Sequence, residues 1–432
     1  MFLEKEGKLI YSYDGETVCI EAWGKDALRV RATKNRSFTG RDWALEAKDA
    51  HAGEVEIFED PSAKGGAFAN MYEGTDTSYG KITNGKLHAV IDSGSVITFY
   101  HEDGRVLLKE HFRRLRDEES MPLNIMGREY SNGVGDNFRI VTRFVARKGE
   151  KIFGMGQYQQ HELDLKGCML ELAQRNSQVS VPFYLSSIGY GFLWNNPGVG
   201  QVMFANNGTE WVTESGKEID YLVIAGDTPA EIEENYMTLT GKPPMMPEYG
   251  MGFWQCKLRY WNQEQLLSVA RKYKELGVPL DVIVVDFFHW TKQGEFKFDP
   301  KYWPDVPGMC RELKEMGIQV VVSVWPTVDI YSENFEEMKE KGYLVRTEHG
   351  VPLTMLCGGN EVFFDATNPD ARTYVWEKIK KNYYDQGAKL FWLDVAEPEY
   401  SVYDFKNYRY QLGSVQEVGN IYPKYYPRQS EP

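Results

Sequence analysis

The stretch Leu280-Asp-Val-Ile-Val-Val-Asp286 decides the fold of the second half of the chain. It is a short apolar run that follows residues with the apolar spacing of a helix. Helical stretches likewise precede Ile318-Gln-Val-Val-Val-Ser-Val-Trp325 and Lys389-Leu-Phe-Trp-Leu-Asp394. Strands that alternate with helices in this rhythm pair in parallel. The helices are predicted near residues 262–276, 306–316 and 371–384.

Asp286, Trp325 and Asp394 each end one of these strands, which favours a barrel among the parallel architectures. A (β/α)8 TIM barrel builds its active site at the carboxyl ends of its strands. A doubly wound nucleotide-binding sheet would require Gly-x-Gly-x-x-Gly after its first strand, predicted near residues 250–254, and Gly250-Met-Gly252 is followed by Phe-Trp-Gln instead. Only about four strands can be counted, so we expect about the first half of a barrel.

Residues 1–241 carry a different pattern, in which short alternating runs are broken by Gly, Asn and Asp. This pattern, as in Glu16-Thr-Val-Cys-Ile-Glu-Ala-Trp23, predicts an all-β unit. Residues 181–194 are predicted to form two strands joined by a Gly-bearing turn. A large β-sandwich accommodates these strands.

The sandwich is predicted to end in a helix and a stiff linker. Thr228 and Glu231 form a capping box, in which each side chain accepts from the backbone near the other residue. Three prolines in Lys242-Pro-Pro-Met-Met-Pro247 then prevent regular hydrogen bonding. We therefore predict an N-terminal β-sandwich over residues 1–245 and the barrel half over residues 246–432.

Composition excludes several classes of function. The net charge of −14 argues against nucleic acid, because binding to phosphates requires clusters of Lys and Arg. Seven scattered histidines without an H-E-x-x-H pair predict no metal, and no cofactor is expected. The sequence lacks an N-terminal apolar core and any run of about 18 apolar residues, so neither a signal peptide nor a membrane span is predicted. Five cysteines without a C-x-x-C pair indicate a reducing, cytoplasmic setting: Cys19, Cys168, Cys256, Cys310 and Cys357.

The segment Phe391-Trp-Leu-Asp-Val-Ala-Glu-Pro-Glu399 is the main candidate for catalysis. It places Asp394 at a strand end beside Trp392, and Glu397 follows three residues later. Glycosidases use paired carboxylates to attack the anomeric carbon and to protonate the leaving oxygen. The alternative is that Asp394 caps the following turn while Glu397 is solvated.

Two further strand ends supply candidates for sugar binding. Asp286 could accept hydrogen bonds from two sugar hydroxyls, with Phe287, His289 and Trp290 as walls of the same pocket. Trp325 is placed where an aromatic platform would lie. The alternatives are a helix cap for Asp286, core positions for the aromatic rings and a structural role for His289. Basic residues after the first strand are candidates to reach the site or to be solvated: Lys257 and Arg259, together with the neutral Gln255.

These segments together resemble glycoside hydrolase family 31. The motifs that carry the resemblance in the second half are Gly250-Met-Gly-Phe-Trp-Gln-Cys-Lys-Leu-Arg-Tyr260, Asp286 with its aromatic tail, Lys297-Phe-Asp-Pro300, Ser323-Val-Trp-Pro326, Phe364-Asp-Ala-Thr-Asn-Pro369 and Trp392-Leu-Asp-x-x-Glu-Pro398. Phe153-Gly-Met-Gly-Gln157 and Gln174-Arg-Asn176 resemble the family's N-terminal sandwich, which is similar to galactose mutarotase.

The resemblance implies a role for each matching residue. Asp394 would be the nucleophile and Glu397 its usual companion, while Asp286 would bind hydroxyls of the glycone, the sugar whose bond is cleaved. Trp325 and Trp392 would wall that subsite. A structural role is implied for Asp365.

The implied activity is that of a retaining α-glycosidase, which hydrolyses terminal α-linked sugars of an oligosaccharide or glycoside through a covalent glycosyl-enzyme intermediate. The run Gln255-Cys-Lys-Leu-Arg-Tyr260 favours an α-xylosidase, with an α-glucosidase as the alternative. The family's acid/base aspartate belongs to a later barrel segment and is not placed here, so an inactive carbohydrate-binding remnant is a further alternative. Residues 422–432 are not expected to form a helix, and assembly into a homo-oligomer is left open.

Overall fold

A computed structural model describes residues 1–46, 49–59, 78–111, 113–115, 123–349, 360–400 and 403–430. It divides into two compact units. The first comprises Met1–Ala173 with Ser177–Pro243, and the second comprises Gln174–Asn176 with Pro244–Pro432. Cys357 lies outside the described residues, and the four described cysteines are free thiols.

The first unit contains 21 strands among its described residues. In chain order these are β1 (Phe2–Lys5), β2 (Lys8–Tyr13), β3 (Glu16–Trp23), β4 (Ala27–Thr33), β5 (Ala50–His51), β6 (Glu54–Glu59), β7 (Ser78–Asn84), β8 (Leu87–Ile91), β9 (Ile97–His101), β10 (Val106–Lys109), β11 (Arg113–Leu115), β12 (Leu123–Ile125), β13 (Arg128–Asn132), β14 (Phe138–Phe144), β15 (Ile152–Gln157), β16 (Met169–Leu172), β17 (Val179–Ser186), β18 (Tyr190–Trp194), β19 (Gly200–Ala205), β20 (Gly208–Gly216) and β21 (Ile219–Ala225).

These strands form antiparallel sheets around a shared core. The largest sheet has the order β1-β2-β3-β4-β21-β18-β17-β15, with β5 on β3. Two five-stranded sheets have the orders β10-β9-β8-β7-β6 and β13-β14-β20-β19-β16, and β11 pairs with β12. One core cluster contains side chains from all three larger sheets, such as Ile20, Phe99 and Trp211. The packing of sheets through one apolar layer is that of a β-sandwich. The predicted hairpin in residues 181–194 is confirmed by β17 and β18.

One buried cluster of charged side chains in this unit is paired within the protein. The Arg128 guanidinium pairs with Glu110 and with Glu16, and it also donates to the Ser95 carbonyl oxygen at 2.8 Å. The other oxygen of Glu110 accepts from the Tyr221 hydroxyl at 3.3 Å. A buried charge is costly unless it is paired and hydrogen-bonded, and this network meets both conditions.

The first unit ends in helix α1 (Pro229–Thr240). The Thr228 hydroxyl accepts from the Glu231 backbone N–H at 3.2 Å, as the capping box predicts. The Glu231 carboxylate accepts from the backbone N–H of Asp227 at 2.9 Å, one residue earlier than expected. Both bonds satisfy groups at the helix start that would otherwise lack a partner.

The second unit alternates strands and helices. In chain order its described elements are β22 (Trp254–Gln255), α2 (Gln263–Glu275), β23 (Val282–Val285), α3 (Val306–Glu315), β24 (Gln319–Val324), β25 (Thr327–Asp329), α4 (Phe335–Glu340), β26 (Arg346–Thr347), β27 (Glu361–Phe363), α5 (Pro369–Ile379), β28 (Leu390–Leu393), β29 (Tyr408–Arg409), α6 (Val415–Val418) and α7 (Tyr422–Tyr425). A π-helical turn, Lys380–Tyr384, extends α5, and a 3-10 turn, Tyr426–Ser430, extends α7.

A parallel sheet with the order β22-β23-β24-β28 is the centre of this unit. Val282, Val284 and Val321 form a core cluster on one face of it, against Tyr249 and Leu390. Among the described residues, β28 pairs with β24 alone, so its other edge carries no strand. The α/β pattern predicted from the apolar runs is confirmed.

Helix starts follow the polar residues that precede them. Asn262, Asp305 and Asn368 each accept from a backbone N–H in the first turn of α2, α3 and α5. Such caps supply partners for N–H groups that the helix leaves unpaired. The three helices predicted from apolar spacing are confirmed within a few residues.

Two predictions about local structure are wrong. The segment predicted as a first strand near residues 250–254 mostly forms a 3-10 turn, Glu248–Met251, because Gly252 N–H bonds locally to the Tyr249 carbonyl. Residues 422–430 are helical, because Pro423 occupies the first turn of α7, where a missing N–H costs nothing. None of the helices in the described ranges has the length and apolar character needed to cross a membrane.

Candidate active site

Three neighbouring strands end in the side chains that the sequence singles out. Asp286 follows β23, Trp325 follows β24 and Asp394 follows β28, and these strands are consecutive in the sheet. Because the strands are parallel, all three carboxyl ends lie at one edge of the sheet. The strands that carry Asp286 and Asp394 are separated by two interstrand spacings, about 10 Å.

Asp394 is held by the end of the neighbouring strand. Its Oδ2 accepts from the Trp325 indole Nε1–H at 3.1 Å. Its backbone N–H donates to the Val324 carbonyl oxygen at 3.0 Å, beyond the last residue of β28. Asp394 is partly exposed, and none of the described residues forms an ion pair with it. The carboxylate is therefore oriented but not neutralised.

The chain changes direction directly after Asp394. Val395 has φ 57, in the left-handed region, and its side chain is buried. A β-branched residue adopts this conformation only where the surrounding structure compels it, at a cost of about 1–3 kcal/mol. Strain of this kind is concentrated at functional sites, and here it follows the candidate nucleophile.

Glu397 lies in a less polar environment than Asp394. Its Oε2 is buried and has no hydrogen-bond partner among the described residues. Burial, followed by the negative charges of Glu399 and Asp394, raises the pKa of the Glu397 carboxyl above its ordinary value. The interpretation of Glu397 as a solvated surface residue therefore does not fit its environment.

Asp286 is anchored by its own loop and by a thiol. Its Oδ1 accepts from the Phe287 backbone N–H at 2.8 Å, and the Cys256 thiol donates to Oδ2 at 3.4 Å. Burial, with Asp286 as the next cause, raises the pKa of Cys256 to about 11, so the thiol keeps its proton. Sequence reasoning did not select Cys256, although its position directly after the first strand was a usable signal.

Aromatic rings form two groups, and one of them adjoins Asp394 through Trp325. The Phe287 and Trp290 ring centroids lie 5.0 and 5.9 Å from that of Trp325, whose side chain is 9% exposed. Trp392 is 52% exposed and contacts Trp254 edge to face at 6.3 Å. Trp254 and Trp392 both line a cavity of about 370 Å³. The predicted aromatic walls thus lie in two separate groups, one around Trp325 and one at Trp392.

His289 has a structural environment. It is 2% exposed, and its ring nitrogens lie 3.0 Å from the Asp286 carbonyl oxygen and 2.9 Å from the Tyr383 hydroxyl oxygen. Burial lowers the pKa of His289 to about 4. With both nitrogens engaged inside the protein, the ring has no free polar atom for a sugar, and the structural alternative is favoured over a sugar contact. No feature of the sequence indicated that Tyr383 is the hydrogen-bond partner of His289.

The residues after the first strand differ in their contacts. Gln255 Oε1 accepts from the Tyr273 hydroxyl at 2.9 Å, so its amide is used within the unit. The Arg259 guanidinium lies 4.1 Å from the Trp261 ring centroid and donates to the Phe288 carbonyl oxygen at 3.2 Å. Lys257 is exposed. Among the described contacts, none joins these three side chains to Asp394.

The Asp365 carboxylate is buried, and both of its oxygens accept hydrogen bonds from the protein. Its Oδ1 accepts from the Thr367 backbone N–H at 2.9 Å and from the Thr367 hydroxyl at 2.7 Å. Its Oδ2 accepts from the Gln411 backbone N–H at 2.5 Å. These bonds connect the segment after β27 to a later loop, which is what a structural role requires.

The arrangement can perform nucleophilic chemistry on a polar, ring-shaped ligand. Asp394 offers an oriented carboxylate oxygen, Asp286 offers acceptors for hydroxyls, and the aromatic group supplies flat apolar faces. Within the described ranges, no group of three or more His, Cys, Asp or Glu side chains is placed to hold a metal ion.

Known proteins are similar to this chain in sequence and fold. Residues 243–431 match the model of the glycosyl hydrolases family 31 TIM-barrel domain. An uncharacterized family 31 glucosidase, ORF2 of Pseudescherichia vulneris, is 45% identical over 98% of this chain and 78% of its own length. Alpha-xylosidase A of Aspergillus niger is 30% identical over 94% of this chain, which spans 58% of that enzyme.

A solved structure agrees with these matches. The crystal structure of a GH31 alpha-xylosidase from a soil metagenome, complexed with xylose, has a TM-score of 0.91 and 50% identity. The match covers 99% of this chain and 62% of that one. The prediction of an N-terminal β-sandwich followed by residues of a TIM barrel is thereby confirmed. That these residues form about the first half of the barrel stays a prediction. The chain belongs to glycoside hydrolase family 31, a family of enzymes that hydrolyse O-glycosyl bonds.

Proposed function

We propose that Asp394 is the nucleophile of a retaining α-glycosidase and that Asp286 binds hydroxyls of the glycone. In such an enzyme a carboxylate attacks the anomeric carbon and forms a covalent glycosyl-enzyme, which water then hydrolyses. The favoured substrates are α-xylosides.

The hydrogen bond between Trp325 and Asp394 is the observation that carries this proposal. It fixes Oδ2 of the carboxylate at 3.1 Å from the indole nitrogen, and Oδ1 has no protein hydrogen-bond donor among the described residues. An attacking carboxylate needs a fixed direction and one oxygen free to form the bond, because a reactive geometry must be held before reaction. A turn-capping aspartate would instead use its oxygens on the following backbone N–H groups.

The position of Asp286 supports a binding role. In retaining glycosidases the two catalytic carboxyl groups are about 5 Å apart. The strands carrying Asp286 and Asp394 are separated by about twice that distance. Such a spacing suits contacts at two sides of one sugar ring, so Asp286 is assigned to the hydroxyls and not to acid/base catalysis.

The names of the relatives support xylose as the sugar. The Aspergillus niger protein and the metagenome protein are both alpha-xylosidases, and the latter was solved with xylose. An α-glucosidase of the same family is the alternative, since ORF2 is named a glucosidase. The two sugars differ by one hydroxymethyl group, which a pocket distinguishes by only about 1–3 kcal/mol.

Covalent labelling tests the nucleophile without requiring an acid catalyst. With 5-fluoro-α-D-xylopyranosyl fluoride, an Asp394 oxygen would bond to the anomeric carbon while the C–F bond breaks and fluoride leaves unprotonated. Intact-mass measurement should show one added 5-fluoroxylosyl group, and peptide mapping should place it on Asp394. Labelling of another residue, or none, would overturn the assignment.

Substrate choice is tested separately with p-nitrophenyl α-xyloside and p-nitrophenyl α-glucoside, whose leaving group needs little protonation. We expect kcat/KM to be higher for the xyloside. A higher value for the glucoside would replace xylose by glucose while keeping the mechanism. Labelling of Asp394 without release of nitrophenol from either glycoside would favour the carbohydrate-binding alternative.

A further inference from the structure

Tyr426 lies outside every segment that the sequence connects with catalysis, yet it contacts the group that holds Asp394. It belongs to the 3-10 turn that extends α7, and its side chain is fully buried. The Tyr426 hydroxyl donates to the Val324 carbonyl oxygen at 2.9 Å. The same carbonyl oxygen accepts the Asp394 backbone N–H at 3.0 Å.

We propose that Tyr426 is a positioning residue for the candidate nucleophile, acting through the peptide group between Val324 and Trp325. The inference rests on the proposed role of Asp394 and adds a residue that does not touch the substrate. Tyr426 fixes the direction of one carbonyl, and this carbonyl controls both contacts that orient the carboxylate.

The geometry of the peptide bond explains why one hydroxyl affects two contacts. The Val324 carbonyl and the Trp325 N and Cα atoms lie in one plane, because the peptide bond does not rotate freely. A tilt of this plane moves the acceptor of the Asp394 N–H. It also moves the origin of the Trp325 side chain, whose indole donates to Asp394 Oδ2. The backbone and the carboxylate of Asp394 therefore shift together.

The two donors can share the carbonyl because its oxygen has two lone pairs. One lone pair accepts from Asp394 along the sheet direction, and the other accepts from Tyr426. Without the hydroxyl, the carbonyl keeps a single directional bond, and the plane can turn about it. No other described donor to the Val324 oxygen is present to replace the hydroxyl.

The surroundings keep Tyr426 in its protonated, donating form. Burial, followed by the negative charge of Asp394, raises the pKa of the Tyr426 hydroxyl well above its ordinary value. The ring is confined by Phe364 at 5.8 Å and Tyr422 at 6.2 Å between ring centroids. A confined ring delivers its hydroxyl to one place, as precise support of a reactive group requires.

Tyr422 offers a matched control four residues earlier. It is equally buried, and its hydroxyl donates to another backbone carbonyl, that of Phe364, at 2.9 Å. The Phe364 carbonyl has no described bond to Asp394. Tyr422→Phe and Tyr426→Phe therefore remove the same kind of hydrogen bond from the same aromatic cluster, and only the second removes one next to the nucleophile.

The experiment measures labelling of the full chain by 5-fluoro-α-D-xylopyranosyl fluoride as a function of reagent concentration. For Tyr426→Phe we expect the maximal labelling rate constant to fall about tenfold, since small displacements of a reacting group have effects of this order. The half-saturating reagent concentration should change less than about twofold. Tyr422→Phe should retain the wild-type rate constant, and urea unfolding of both variants verifies that they are folded and similarly destabilised.

A second measurement does not depend on reactivity. Hydrogen-exchange mass spectrometry on peptides that contain Asp394 should show faster exchange of its backbone N–H in Tyr426→Phe than in Tyr422→Phe. This readout also decides the question if the labelling of Tyr426→Phe is too slow to measure. Equal exchange in the two variants, or equal labelling rate constants, would overturn the inference. Failure of the wild-type protein to be labelled at Asp394 would overturn the proposed function instead.

Discussion

A buried carboxylate of the sandwich and the two strand-end carboxylates of the barrel unit have opposite environments. In the sandwich, Glu110 is buried and its oxygens are occupied by Arg128, by the Ile97 N–H and by the Tyr221 hydroxyl. In the barrel unit, neither Asp286 nor Asp394 has an ion pair among the described residues, and each lies at a partly exposed strand end. In the first arrangement both carboxylate oxygens accept hydrogen bonds that stabilise the fold. The second leaves acceptors for a ligand, which is what distinguishes a site from a structural network.

The largest expected effect concerns the unpaired carboxylate. Asp394→Asn keeps an acceptor for the Trp325 indole but removes the nucleophile, so the labelling rate should fall by at least about a thousandfold. Urea unfolding should change little. Asp404→Asn, an exposed aspartate after the same strand, is the control and should be labelled at the wild-type rate. A labelling rate for Asp394→Asn within tenfold of the wild-type rate would contradict the view that this unpaired carboxylate serves a ligand.

Removing the partner of a paired carboxylate should affect stability only. Arg128→Met leaves Glu110 buried without its cation, which should cost about 3–5 kcal/mol in free energy of unfolding. The control is Arg139→Met, whose partly exposed pair with Glu214 should contribute below about 1 kcal/mol. Urea unfolding measures both, and labelling in the absence of urea should be unchanged. If Arg128→Met lowered the free energy of unfolding as little as Arg139→Met, the result would argue against a structural network.

The buried imidazole beneath the site should make stability depend on pH. His289 has a pKa of about 4 in the folded protein against 6.5 ordinarily, so the unfolded chain binds more protons between these values. Stability should therefore decrease as the pH falls from 6.5 to 4, by up to about 3 kcal/mol. His289→Gln should lack this part of the pH dependence in urea unfolding. The exposed His161→Gln should retain it, and an unchanged profile in His289→Gln would exclude the buried, neutral histidine.

The smallest effect is expected at Glu397, which lies between the two kinds of carboxylate. Its pKa is raised in the folded protein, so ionisation above its ordinary value of 4.5 opposes folding. Glu397→Gln should raise stability at neutral pH by less than about 1 kcal/mol, allowing for partial exposure, and the gain should disappear below pH 4.5. Thermal unfolding at pH 7 and pH 4 measures this difference. Exposed Glu340→Gln is the control, and a loss of stability at pH 7 would refute the interpretation.

Local signals in the sequence predicted most of the fold and the candidate carboxylates. Thr228 illustrates this, because its hydroxyl caps a backbone N–H only three residues away. Apolar runs located β23, β24 and β28, and the carboxyl ends of parallel strands necessarily meet at one edge. The strand-end residues Asp286, Trp325 and Asp394 followed from this geometry without knowledge of any contact.

The contacts that refine these residues could not be predicted, because they join distant parts of the chain. His289 and Tyr383 are 94 residues apart, and Val324 and Tyr426 are 102 residues apart. Which donor reaches which acceptor depends on how helices pack on the sheet, and neither apolar spacing nor composition specifies this. The helical conformation of residues 422–430 was not predicted, although the first turn of a helix tolerates a proline such as Pro423.

Among the described residues no strand pairs with the outer edge of β28, and this has a consequence for handling the protein. Leu390, Phe391 and Leu393 line two cavities of about 320 and 370 Å³. An unpaired parallel edge with apolar side chains is a template for any extended polypeptide, including a cross-β partner of the same sequence. We therefore expect the four residues of β28 to limit the colloidal stability of the protein. A charged substitution at Phe391 should delay the appearance of light-scattering particles as the protein is concentrated.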